Sequence, residues 1–94
     1  DIISIADILY ITRIQQERFK CESLYNKIKD YFSINTEIIK KLKENAVIMH
    51  PLPRVNEIDK DVDFDKRAAY FRQAQNGLYI RMAILQLLLG NPTI

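Results

Sequence analysis

"AVIMHPLPR", Ala46 to Arg54, is the stretch from which the fold is read. Ala46 to His50 is an apolar run of the length and composition of a strand buried on both faces. It stops against Pro51 and Pro53, which flank a single leucine, Leu52. Each proline fixes φ, removes an N–H donor and restricts the residue before it. The strand must therefore end in a rigid, non-helical corner, poor in donors and rich in carbonyls.

Upstream, "NTEIIKKLKEN" reads as a helix, with Asn35 or Thr36 as its cap, Ile38, Ile39 and Leu42 on one face, lysines on the other and Asn45 as its stop. Further back, "ESLYNKIKDYF" repeats Leu24, Ile28 and Phe32 at helical spacing. "ADILYI", Ala6 to Ile11, is a second short apolar run. Helix between two such runs is the pattern of a βαβ crossover, and so of neighbouring parallel strands.

Downstream, "NEIDKDVDFDKR" is acidic and expected to be irregular, and "AAYFRQAQNGLYIRMAILQLLLG" reads as one or two helices about Gly77, ended by Gly90-Asn91-Pro92. Tyr70, Phe71, Tyr79 and Leu87 to Leu89 read as core. The fold class is α/β with a parallel sheet. Two strands are too few for a stable sheet, and helices this apolar need a wider surface to cover, so further strands are expected before Asp1.

With 94 residues and interspersed charges summing to +2, the chain has no basic stripe to neutralise a phosphate backbone, and nucleic acid is not an expected partner. Cys21 and His50 are each the single residue of their type, so no disulfide within the chain, no metal and no cofactor are expected. No apolar run reaches the roughly 18 residues of a membrane span. The start, "DIISIADILYI", has neither a basic beginning nor a cleavage pattern, so no signal peptide is expected and the chain reads as beginning inside a longer one.

In an open parallel sheet the ligand crevice lies outside the carboxyl ends of the strands, where "TRIQQER" and "HPLPR" both emerge. Arg13 and Gln15, at i and i+2 in an extended segment, share a side and could together hold a carboxylate. By themselves they read more readily as a solvated loop. Glu17 and Arg18 read as surface ion pairing, or Glu17 as the residue that orients Arg13. His50 reads as a histidine satisfied by backbone partners, and Arg54, Asn56 and Glu57 as a polar loop.

Together, "DILYITRIQQERF", "VIMHPLPRVNEI", "DVD" and "AAYFRQAQNGLYIRMAIL" resemble the C-terminal part of the catalytic chain in the aspartate carbamoyltransferase family, from about Ala6 to Leu88. The resemblance implies half of a Rossmann-like, three-layer aspartate-binding domain over residues 1–76. Residues 77–94 would then be a long C-terminal helix packing back toward a carbamoyl-phosphate domain. The family joins carbamoyl phosphate to L-aspartate in pyrimidine synthesis, as cytoplasmic homotrimers with active sites shared between subunits.

Carried onto this sequence, Arg13 and Gln15 would bind the carboxylate end of aspartate, and Pro51 and Leu52 would offer carbonyls to the nitrogens at the reacting end. Glu17, His50, Pro53 and Arg54 would support them, with a cis bond before Pro53 and His50 structural. The phosphate-gripping residues would lie in the rest of the catalytic chain, so this segment alone would be inactive. The mobile loop over aspartate would fall within the loosely matching stretch Phe19 to Lys43. The alternatives are an ornithine-type enzyme, whose corner typically reads HCLP, and an inactive scaffold or trimerisation domain.

Overall fold

The computed structural model describes residues 2–13, 20–28 and 33–90. After a 3-10 turn at Ile2–Ile5, strand β1 spans Ile8–Tyr10, helix α1 Glu22–Ile28, helix α2 Thr36–Ile39, strand β2 Val47–Met49, a 3-10 helix Lys60–Phe64 and helix α3 Tyr70–Leu89. β1 and β2 are parallel, in the register Ile8 to Val47, Leu9 to Ile48 and Tyr10 to Met49. The βαβ reading is thus met. On its other edge β2 takes one further parallel rung, in which Ile48 N–H donates to Arg67 O (2.8 Å) and Ala69 N–H to Ile48 O (2.9 Å). β2 is therefore flanked on both sides, and its carboxyl end is the centre of the sheet edge.

The core lies under one face of β2, where Ile48, Val62 and Tyr70 are fully buried together with Ile39, Leu42, Ala46 and Ile58. α2 enters this core by its cap: Asn35 Oδ1 accepts from Ile38 N–H at 3.0 Å. The helix is shorter than the sequence suggests. After Ile39 the chain tightens, with Lys41 N–H to Ile38 O and Leu42 N–H to Ile39 O, both 3.1 Å. Such i to i+3 turns stack Ile39 and Leu42 on one side, which is how both reach the core. The acidic stretch is also more ordered than expected, because Val62 needs burial and the 3-10 helix delivers it.

α3 is one continuous helix through Gly77, closed by Gly90, whose N–H donates to Gln86 O at 2.9 Å. A Cβ on Gly90 would stand 2.9 Å from that same oxygen, which accounts for glycine there. Of the helix only Tyr70 is buried. Phe71, Tyr79 and Leu87 to Leu89, read from sequence as core, are exposed, as are Ile8 and Tyr10 on the second face of the sheet. From Leu78 on the helix is apolar on most sides and needs cover on several, and the described residues supply one. Between α3 and that second sheet face lies an open cavity of about 560 Å³, whose lining includes Val47, Met49, Gln73, Gly77 and Ile80. α1 carries the start of the helix expected from Glu22, with Leu24 half exposed; Tyr31 and Phe32 lie outside the described residues.

Candidate functional site

The corner after β2 is built from its backbone outward. Leu52 has φ of 52°, in the left-handed region that costs a side-chain-bearing residue of order 1–3 kcal/mol, and the Leu52–Pro53 bond is cis, as the resemblance implied. A backbone held in such a region must be over-determined by its surroundings. In this corner the surroundings are side chains of the loop itself, of the 3-10 helix and of α3.

His50 is buried, and its Nδ1 accepts the Leu52 N–H at 2.8 Å. An amide can only donate, so Nδ1 presents its lone pair and the ring hydrogen sits on Nε2, 2.9 Å from Glu57 Oε2. Glu57, itself buried, also accepts the Val55 N–H, 3.2 Å from each oxygen. The imidazole and the carboxylate thus tie both limbs of the corner together. With the Leu52 N–H consumed and no N–H on either proline, the corner has only carbonyls as backbone groups for a ligand.

Beyond the second proline, Arg54 grips Asp63 with both ends of its guanidinium, Nη2 to Oδ2 at 2.7 Å and Nη1 to Oδ1. The Tyr70 hydroxyl donates to the same Oδ1, and Arg54 lies over the Tyr70 ring, 5.6 Å from its centroid. Hydrogen bonding to Asp63 raises the Arg54 pKa, and the same pairing, aided by Tyr70, lowers that of Asp63 against the opposing effect of burial. Burial first, and then the Asp63 hydrogen bond, push the Tyr70 phenol up to about 12. The cluster is a charged post driven into the core beside the corner.

Arg13 reaches the same edge. The ladder runs past β1, with Ile11 N–H donating to Met49 O at 2.8 Å, and Tyr10 pairs with Met49. Arg13 follows that last rung by two residues and is exposed. The structure therefore brings Arg13, Pro51, Leu52, His50, Pro53 and Arg54 to one end of the sheet. Gln15 and Glu17 lie outside the described residues. Sequence reading left Glu57, Asp63 and Gln73 without roles, although the spacings "HPLPRVNE" and "DVD" and the "FRQA" start of α3 were visible in it.

Among the described residues no group of three or more His, Cys, Asp or Glu is arranged to hold a metal, and no helix is long and apolar enough to cross a membrane.

Comparison with known proteins agrees with this geometry. The family described as aspartate/ornithine carbamoyltransferase, Asp/Orn binding domain, matches residues 1–88. An aspartate carbamoyltransferase catalytic subunit from Clostridium botulinum (strain Alaska E43 / Type E3) is 52% identical over 90 residues, 96% of this chain and 29% of that protein. The multifunctional protein URA2 of Saccharomyces cerevisiae is 53% identical over 89 residues, 95% of this chain and 4% of that protein. Aspartate transcarbamoylase from Trypanosoma cruzi, crystallised with carbamoyl phosphate and aspartate, superimposes with a TM-score of 0.79 at 40% identity, over 89% of this chain and 27% of that one. The chain thus spans less than a third of the length of each of these relatives, and with its match over residues 1–88 it belongs to the aspartate/ornithine carbamoyltransferase family, in the part that forms the Asp/Orn binding domain.

Proposed function

We propose that this chain is the aspartate-binding segment of an aspartate carbamoyltransferase, which forms N-carbamoyl-L-aspartate and phosphate in pyrimidine synthesis. Arg13 and Gln15 hold the carboxylate end of L-aspartate, Arg13 through a two-pronged guanidinium contact. The carbonyls of Pro51 and Leu52 accept from the amino and carbamoyl nitrogens. The amine attacks the carbamoyl carbon, the bond from that carbon to the phosphate oxygen breaks, and the proton lost by the amine passes to the departing phosphate. Alignment of amine and carbon is this segment's contribution. Charge on the departing phosphate is met by residues elsewhere in the longer chain.

The observation that carries the reading is the donor-less corner at Pro51–Pro53, held by buried His50 and Glu57 at the sheet edge that Arg13 also reaches. A guanidinium at that edge suits an acidic substrate better than ornithine, whose side chain is cationic. The exposed apolar residues of α3, among them Leu78, Met82, Leu85 and Leu89, support residues 77–94 packing against a carbamoyl-phosphate domain, although the helix itself begins at Tyr70. Assembly as a cytoplasmic homotrimer with shared active sites follows the family resemblance.

The test is Arg13→Ala in the full-length polypeptide. Aspartate affinity falls by about 2–5 kcal/mol, the cost of truncating one partner of a desolvated charge-assisted pair, while carbamoyl-phosphate binding by calorimetry stays close to wild type. Equal losses for both ligands contradict the role of Arg13. A wild-type polypeptide without turnover favours the scaffold reading.

A further inference from the structure

His50 N–H poses a bonding problem that the sheet alone does not solve. The rungs on that side of β2 run from Ile48 N–H to Arg67 O and from Ala69 N–H to Ile48 O, so the next acceptor in sequence would be Ala69 O. That oxygen has turned into α3, where it accepts Gln73 N–H at 2.8 Å, and the ladder does not continue to it. A buried N–H left unpaired is destabilising, because it gives up its bond to water and gains nothing in return. The side chain of Gln73 fills the place: its Oε1 accepts from His50 N–H at 3.0 Å.

Because the amide N–H of His50 can only donate, the orientation of the Gln73 amide is settled, and its Nε2 faces the Tyr10 hydroxyl, 3.1 Å away. One side chain from α3 therefore touches the last residue of β1 and the first residue beyond β2. Those strands lead directly to Arg13 and to Pro51–Leu52.

We propose that Gln73 is a positioning residue which clamps the carboxyl ends of β1 and β2 and so sets the spacing between the carboxylate-binding side chain and the carbonyl corner. The inference rests on the aspartate site proposed above. A span fixed by one rigid amide suits a substrate that must be held at both ends, since a displacement near 1 Å can cost about 100-fold in rate. A clamp also predicts asymmetry between ligands, because carbamoyl phosphate is gripped elsewhere.

In the full-length polypeptide, Gln73→Leu keeps the bulk of the side chain and removes both hydrogen bonds. It is expected to lower kcat/KM for aspartate by roughly 10–100-fold, with carbamoyl-phosphate affinity changed less than about twofold. Gln73→Glu still accepts from His50 N–H and can accept from the Tyr10 hydroxyl, so it should recover most of that loss. Wild-type kinetics in Gln73→Leu, equal losses for both ligands, or a Glu variant no better than Leu overturns the clamp. Should Gln73→Leu fail to fold, Tyr10→Phe removes only the β1 arm, and KM for aspartate is expected to rise about threefold or more with carbamoyl-phosphate affinity unmoved; no change overturns the proposal. Absence of aspartate turnover in the wild type overturns the functional reading together with this inference, whereas normal turnover in the variants overturns the inference alone.

Discussion

Replacing Asp63 by Asn removes one charge at nearly constant volume, and so isolates what the post beside the corner contributes. The Arg54 and Asp63 side chains are 15% and 21% exposed, between a surface pair, worth about 0–1 kcal/mol, and a fully buried one, whose breaking costs about 3–5 kcal/mol. The guanidinium would lose both charged acceptors while staying over the Tyr70 ring. An amide can still accept from the Tyr70 hydroxyl, so that bond weakens and is not abolished. The resulting expectation is a loss of about 2–3 kcal/mol in urea unfolding of the full-length polypeptide at neutral pH. The pH dependence supplies an independent check. Arg54 and then Tyr70 hold the Asp63 carboxyl below its ordinary range, so its stabilisation is complete above about pH 4 and disappears as pH falls through the folded-state value. Tyr70, raised to about 12, removes stability only as pH climbs above about 10, where the unfolded phenol ionises first. Wild type and Asp63→Asn should therefore converge on the acid side. A difference under about 0.5 kcal/mol at pH 7, the range of ordinary surface substitutions, refutes the post. A gap that stays constant into acid refutes its ionic origin.

Two smaller predictions accompany those already tied to Arg13 and Gln73. Asn35→Ala deletes the acceptor for Ile38 N–H and should cost about 1 kcal/mol in the same unfolding assay, with Asn35→Ser recovering most of it. Cys21 is exposed, and hydrogen bonding to the Ser23 hydroxyl, with smaller backbone contributions from Leu24 and Ser23, lowers its thiol pKa. Its labelling by a disulfide reagent should rise at lower pH than that of a free thiol, and Ser23→Ala should shift the profile upward; an unmoved profile rules out the Ser23 hydroxyl as the cause.

The parallel pair was legible because short apolar runs at Ala6–Ile11 and Ala46–His50 enclose a helical pattern, and that local alternation has few other solutions. The corner was legible for a similar reason: Pro51 and Pro53 act through their own backbone, whatever surrounds them. A cap at Asn35 or Thr36, which the structure gives to Asn35, and the stop at Gly90 were equally readable, each acting on groups within four residues of itself. The length of α2 was not, since the tightening after Ile39 answers to a core shared with Val62 and Tyr70. Nor was the exposure of Ile8, Tyr10 and most of α3, because hydrophobicity says that a side chain needs cover and not which segment provides it.

What the sequence determined by itself is the set of features enforced over a few residues: the strand–helix–strand order, the rigid carbonyl-rich elbow, the caps, and the motif spelling that places the chain in its family. What only the tertiary structure decided is who holds the elbow. Glu57 reaches His50, Asp63 reaches Arg54 and Gln73 reaches both His50 and Tyr10, the last across most of the chain. Those partners are chosen by where β2 ends and α3 begins in space. Hydrogen bonds are satisfied by proximity in three dimensions, and separation along the chain leaves no local pattern from which to read them.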